Sequence, residues 1–350
     1  MKAKGISVII CCYNSAGRIK TTLKRLSLQE SEGFPIEIIL VDNASGDDTS
    51  AVAENYWASL DKISPIKLKI IQEPKPGLSH ARKAGMQTSN YEYVLYCDDD
   101  NHLYSNYCKL AFHHLESMPD VGVLGGQGIG KYQVQPPDWF IENEGYFAIG
   151  KQASESGDLT HTKGYVWGAG MVIRRRAWDM LAESNFESFL SDRKGKSLTS
   201  GGDVEFCKAI RLHGFKIYYD ENLKYDHEIP AHRMEWKKLR KMVYATGTSA
   251  TLLLPHELHY RLKYQQLSPE KLTWEYHFRK SLKWFRSRKS LLLKTLIFSI
   301  PGNDEELDVL YQWGFLTHLV WNKNQYQKNL IKVKNYQIQS NKLNIAWNGR

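Results

Sequence analysis

Tyr91-Glu92-Tyr93-Val94-Leu95-Tyr96-Cys97-Asp98-Asp99-Asp100-Asn101 is the stretch on which the reading of the chain turns. An aromatic and β-branched run of strand length stops at three carboxylates and an amide, a composition poor for extending a sheet and suited to a divalent cation. A single acidic residue would cap a helix starting near Tyr104, but three adjacent ones repel each other unless something positive sits among them. The stretch therefore predicts a buried strand that carries acid to its C-terminal end. In an open α/β sheet that end faces the ligand crevice.

Working outward, the same grammar recurs. Ile6–Cys12 is a continuous apolar run followed by the turn formers Tyr13-Asn14-Ser15-Ala16-Gly17, then Ile19, Leu23 and Leu26 at helical spacing. Ile36–Val41 ends in Asp42-Asn43-Ala44-Ser45-Gly46-Asp47-Asp48-Thr49, and Lys67–Ile71 ends in Gln72-Glu73-Pro74-Lys75-Pro76-Gly77 before a helix over Leu78–Gln87. A helix near Tyr104–Ser117 precedes a short strand at Val121–Gly125. Strand and helix alternate with short connections, the signature of βαβ units and a mostly parallel sheet. Asn14, Asp42, Glu73 and Asp98–Asp100 then share one polar edge at the strand C-termini, the position of a nucleotide-type pocket. No phosphate-cradling glycine motif occurs there. Cys11–Ser15 is neither a dinucleotide fingerprint nor a P-loop, and Gly125–Tyr132 lacks the Lys-Ser/Thr pair. A phosphate in the pocket needs another counter-charge, which a metal held by Asp98–Asp100 would supply.

Further along, residues 131–165 are aromatic and turn-rich without periodicity, a long excursion over one rim of the pocket. Tyr165–Ile173 resumes a strand pattern broken by Gly168 and Gly170; Trp167 is either a core aromatic or a platform for a sugar ring. Thr199-Ser200-Gly201-Gly202-Asp203-Val204-Glu205 opens a short helix. Asp203 could be a plain cap, but two preceding glycines suit close approach to a substrate. After a strand at Phe215–Tyr219, Tyr225-Asp226-His227-Glu228 sets an imidazole among carboxylates.

These pieces together resemble the inverting glycosyltransferases of family 2, which have the GT-A fold. The resemblance rests on Ser7–Asn14, Ile38–Thr49, Pro76–Arg82, Cys97–Asn101, Trp167–Arg174, Ser200–Glu205 and Asp226-His227, in the family's order over about residues 5–230. Gly202 stands where the family often has an acidic residue, and Lys83 where Asn commonly follows the Arg. The resemblance implies a metal-dependent transferase using Mg²⁺ or Mn²⁺ and a nucleoside-diphosphate sugar, expected to be a UDP-sugar, with a glycan or lipid-linked acceptor in surface polysaccharide synthesis. It implies that Asp42 binds the base with Asn14 and Arg82 nearby, and that Asp98 meets the ribose side. Glu73, Gly77 and Asp99 complete the donor set, and Asp100 and His227 ligate the metal. Asp203 would be the general base, and Trp167 and Gly168 would meet the sugar or acceptor.

At 350 residues the chain holds a catalytic domain over 1–231 and a basic, mainly helical extension over 232–350. Of the net charge of +9, all belongs to residues 271–350, with 14 Lys+Arg against 5 Asp+Glu. Phe278, Leu282, Phe285, Leu292, Leu296 and Ile300 can form an apolar stripe flanked by Lys280, Lys283, Arg286, Arg288, Lys289 and Lys294. Such a helix either lies on an anionic membrane or packs on the catalytic domain. Five cysteines without Cys-x-x-Cys spacing argue against a zinc site or a disulfide framework. With no signal-peptide core and no long apolar run, the expectation is a cytoplasmic protein, peripheral on the inner membrane face if the stripe is exposed. Two rivals are weaker. A sugar-phosphate nucleotidyltransferase should carry a glycine-rich basic loop after its first strand, and an acidic pocket repels nucleic acid.

Overall fold

The structure, a computed structural model, describes residues 2–60, 65–190, 201–297 and 299–348, with the backbone alone at 293, 294, 296, 297 and 337–348. Thr199 and Ser200 lie outside the described residues, as do the side chains of Lys294 and Leu296. Alternation along β1 (Ala3–Cys12) sets the layering: Ile6, Val8 and Ile10 enter one core and Ile9 the other. On the first face pack α1 (Ile19–Ser27) through Ile19 and Leu23 and, after β2 (Ile36–Asp42), α2 (Thr49–Ser59) through Ala53 and Trp57. Beyond β3 (Lys67–Gln72), α3 (Leu78–Thr88) covers the opposite face with Ala81 and Met86.

The chain returns through β4 (Tyr91–Asp98) and β5 (Asn101–Leu103) to α4 (Tyr107–Ser117) and β6 (Val121–Tyr132). The excursion that follows holds the short α5 (Asp138–Glu142) and β7 (Gly157–Asp158). Next come β8 (Val172–Arg174), α6 (Arg175–Glu183), α7 (Gly202–Leu212) and β9 (Lys216–Ile229). The sheet runs β3-β2-β1-β4-β8-β6-β9-β5, with β7 on β9; the pairs among β1 to β4 and the long β6–β9 pair are parallel. This is the mostly parallel α/β sheet that the sequence predicts.

Three local expectations are corrected. The strand expected over Tyr165–Ile173 is confined to Val172–Arg174, because Gly168–Met171 forms a turn closed by Met171 N–H on the Gly168 carbonyl, with Gly170 at φ 69°. The strand expected over Phe215–Tyr219 runs on to Ile229, since pairing with β6 resumes at Lys224 after an irregularity at Gly125/Gln127. The short strand expected at Val121–Gly125 runs on through the glycine-rich stretch to Tyr132.

After Ile229 the chain is helical: α8 (Trp236–Tyr264), α9 (Trp274–Arg286), α10 (Lys289–Ile297), α11 (Asp304–Trp321) and α12 (Lys323–Asn348). Trp236, Leu239 and Val243 of α8 join Phe140 and Phe147 of the excursion and Leu307 of α11 in one apolar cluster. The expected apolar stripe divides: its two phenylalanines on α9 pack inward, whereas Ile300 is 61% exposed. Phe278 packs with Leu258, Leu319 and Tyr326, and Phe285 is buried against the edge of Trp313. Among the described residues no helix is long and apolar enough to cross a membrane.

Candidate active site

Strand register builds the site. Cys11 pairs with Asp98, Cys12 with Asp42, and Asp42 with Gln72, so the ends of four parallel strands form one lip. From β1 the chain builds β2 and β3 to one side and returns with β4 on the other. The switch point falls between Cys11 and Asp98, where an open α/β sheet leaves a crevice. A cavity of about 1180 Å³ opens there.

Gly77, Arg82, Asp98, Asp99, Asp100, Trp167, Gly168, Asp203 and His227 all line this cavity. Asn14, Asp42 and Glu73 do not. Asn14 Oδ1 accepts the Gly46 N–H at 2.7 Å, and Asp42 accepts the Ser50 hydroxyl at 2.5 Å and the Ser45 N–H at 3.2 Å. Glu73 folds onto its own loop by accepting the Lys75 N–H at 2.8 Å. Asn43 lines the wall beside them. Its amide donates to the carbonyls of Glu73 (3.0 Å) and Lys75 (2.7 Å), and its Oδ1 accepts the Gly77 N–H at 2.8 Å, pinning the loop before α3 to the tip of β2.

The three adjacent carboxylates part company. Asp99 turns toward α1, accepting the Ser15 hydroxyl and pairing with Arg18 at 2.8 Å; burial pushes its carboxyl up to about 6. Asp100 faces β9, because the β5–β9 ladder sets Asn101 opposite His227. Its Oδ2 lies 3.5 Å from His227 Nε2 and 3.1 Å from Arg233 Nη1. Burial works against ionisation of Asp100, but the hydrogen bond and charge of His227 and the charge of Arg233 outweigh it and hold the carboxyl below the ordinary carboxylate range.

Hard oxygen and imidazole donors 3.5 Å apart suit two neighbouring ligands of one small divalent cation. Among the described residues His227 Nδ1, which is buried, has no hydrogen-bond partner, so the ring is not committed to another acceptor there. Among the described residues no cluster of three or more His, Cys, Asp or Glu converges on a point. A cation here would thus draw its remaining ligands from a diphosphate and water, the usual habit of Mg²⁺. Asp100 and His227 fit the metal role on those terms.

Across the cavity, Asp203 sits in the first turn of α7 but does not cap it; the N-cap is Gly201, with no side-chain bond. Asp203 Oδ2 accepts the Gly168 N–H at 2.6 Å and Oδ1 the Val204 N–H at 2.9 Å. A β-carbon on Gly168 would lie 2.9 Å from Arg82 Nη2 and 3.1 Å from Asp203 Oδ2, so a larger residue there would displace the Arg82 guanidinium and crowd Asp203.

The far half of the cavity is walled by Tyr146 and Phe147 of the excursion and by Met242, Thr246 and Ser249 of α8 with Tyr311 and Phe315 of α11. These helices touch backbone to backbone: a β-carbon on Gly314 would sit 2.2 Å from the Tyr244 carbonyl oxygen, and one on Gly247 2.0 Å from that of Tyr311. Sequence reasoning passed over this wall, and over Arg233 and Lys163. Arg233 meets Asp100 across 133 residues and belongs to no motif; Lys163, four residues before Trp167, was readable as a cation beside an aromatic pair.

The family model described as "Glycosyl transferase family 2" matches residues 7–181. The chain is 33% identical over 112 residues to the cholesterol galactosyltransferase of Borreliella burgdorferi, covering 32% of this chain and 29% of that protein. It is 31% identical over 100 residues to the GalNAc(5)-diNAcBac-PP-undecaprenol beta-1,3-glucosyltransferase of Campylobacter jejuni, 29% of this chain and 31% of that one. The chain spans less than half the length of the curated relatives it matches. Among solved structures, the mannosyltransferase PcManGT of Pyrobaculum calidifontis, in complex with GDP-Man and Mn²⁺, superposes with a TM-score of 0.53 at 15% identity, covering 96% of this chain and 87% of that one. At that identity the likeness shows a common fold.

Proposed function

The chain belongs to glycosyl transferase family 2, and from that premise we propose that it moves a sugar from a nucleoside-diphosphate donor to a hydroxyl of a glycan or lipid-linked acceptor, with inversion. One observation carries the reading: the Asp100–His227 pair and the Asp203 carboxylate line a single cavity at the switch point of the sheet. UDP is the first nucleotide to try, and surface polysaccharide assembly the setting. Residues 1–231 would hold the donor and the chemistry, and 232–350 would close the acceptor half.

In this proposal the base lies at the tips of β1, β2 and α3, near Tyr13, Asn43, Gly77 and Arg82, with Asp42 behind them and Asp98 on the ribose side. The diphosphate lies toward Asp100, His227 and Arg233. Mg²⁺ or Mn²⁺, when bound by Asp100 and His227, would supply the positive charge that stabilises the departing diphosphate. Asp203 takes the proton of the attacking hydroxyl in the transition state. The Gly168 and Val204 N–H groups hold its two oxygens in place for that task. Attack on the face opposite the diphosphate inverts the anomeric centre, and one carboxylate suffices, unlike the pair required for glycoside hydrolysis. A second partner, an anionic membrane surface, is favoured by Trp321, 84% exposed on the outer face of the helical region. Flotation with anionic vesicles tests it, and absence from the lipid fraction removes it.

Thermal stabilisation by nucleoside diphosphates, each with and without Mn²⁺, tests the donor reading without knowledge of the acceptor. A metal-dependent rise for one base, lost in Asp100→Ala, is the expected result. No rise with any nucleotide overturns the reading.

A further inference from the structure

We propose that the far half of the cavity selects an acceptor bearing a negative charge, a carboxylate or a phosphate ester, and that Lys163 is the residue that reads it; the proposal rests on the transferase reading above. The cavity, at about 1180 Å³, exceeds what one small-molecule ligand fills, so an acceptor has room beside the donor. Lys163 stands in this second half. Its Nζ lies 4.7 Å from the Tyr165 ring, 4.6 Å from the Trp167 ring and 3.4 Å from the Gln152 carbonyl, and among the described residues no carboxylate pairs with it.

Among the described residues no carboxylate lies in ion-pair contact with Lys163. Glu257, the carboxylate on the adjoining wall, is engaged by Lys208 at 2.7 Å and by Arg211. Asp203 faces Lys163 from α7, but its two oxygens are held by backbone N–H groups. Among the described residues, Lys163, Lys208 and Arg211 therefore share this end with one paired acid, Glu257, and the other carboxylates lining the cavity away from the strand tips are Asp203 and Glu142. Burial holds the Lys163 ammonium down to about 8, which still leaves it charged at neutral pH. The two aromatic faces and the Gln152 carbonyl hold the half-buried ammonium in place, but they leave its unit charge without a counter-charge among the described residues. A counter-charge arriving from outside accounts for it.

The rings give the second half of the recognition. At rest the ammonium covers the Trp167 face that a sugar ring would stack on. An anionic group that draws Nζ away uncovers that face, so charge and ring are read together. A neutral sugar must displace the ammonium with nothing to receive it.

The test uses the full chain with UDP and Mn²⁺ present, titrated by ligand-observed NMR with glucose, glucuronic acid and glucose 6-phosphate. Wild type is expected to bind at least one anionic sugar about tenfold more tightly than glucose, as a charge-assisted hydrogen bond implies; the better anion distinguishes carboxylate from phosphate. Lys163→Met should lose that preference and Lys163→Arg should keep it, with UDP binding showing that each variant is folded. A preference surviving in Lys163→Met, or absent from wild type, overturns the proposal. Failure of wild type to bind UDP would strike the donor reading instead, and the same sugar titrations without nucleotide would still score Lys163.

Discussion

Asp203→Asn keeps the shape of the side chain and removes its basicity. The carboxylate now serves two N–H donors, Gly168 at 2.6 Å and Val204 at 2.9 Å, and an amide has one oxygen for them. One backbone donor is left facing an NH₂ group, a loss of about 1–3 kcal/mol for an unsatisfied donor and at the low end here because Asp203 is only half-buried. A fall of a few degrees in the thermal midpoint is therefore expected. The catalytic loss is larger: a positioned general base contributes about 10²–10⁴-fold, or about 3–5 kcal/mol of barrier. The assay is UDP release at saturating donor, paired with UDP–Mn²⁺ affinity from calorimetry. A kcat down by about two to four orders of magnitude, with affinity within about twofold of wild type, is the expected outcome. A variant within tenfold of wild-type kcat, or one whose affinity falls in step with its rate, would refute the base assignment.

Arg233→Gln removes the guanidinium 3.1 Å from Asp100 Oδ2 and should tighten nucleotide-free Mn²⁺ binding severalfold, read by electron paramagnetic resonance titration; unchanged binding would mean that Arg233 does not compete for the cation's place. Gly314→Val drives a side chain into the Tyr244 carbonyl. It should cost about 1–3 kcal/mol with UDP affinity preserved, and a wild-type melting curve would contradict the close helix crossing. His213 is buried beside Tyr336, and burial pushes its imidazole down to about 4 from an ordinary 6.5. Between those values the unfolded chain takes a proton that the folded chain refuses, so stability falls as pH drops through the window, by about 3 kcal/mol. Chemical denaturation of His213→Phe at pH 4 and 7 should show a correspondingly smaller difference, and an unchanged one removes His213 as the cause.

What the sequence discloses depends on how local the determining contacts are. The tips of β1, β2 and β4 were legible because each apolar run ends in polar residues that cannot continue a sheet. Asp203 and His227 were legible as chemistry, but their meeting in one cavity depends on the Asn101–His227 register and on the Gly168 turn, both set by distant pairing. The same limit hid the extent of β9, whose Asp220-Glu221-Asn222 interrupts the apolar pattern while the ladder with β6 resumes beyond it. Asp42 looked like a pocket carboxylate from its place after β2, yet Ser45 and Ser50 claim its oxygens and Asn43 faces the cavity. The wall built by α8 and α11 was least visible, since Gly247 and Gly314 carry no apolar signal and matter only when two helices cross on them.

The stereochemistry of transfer bears most directly on the account. With the donor nucleotide found by thermal stabilisation, real-time proton NMR of the sugar first released from an α-linked donor reads the anomer before it equilibrates in water. Inversion with Asp203 as the one base predicts the β anomer. The α anomer would contradict it and call for a second nucleophile in the cavity.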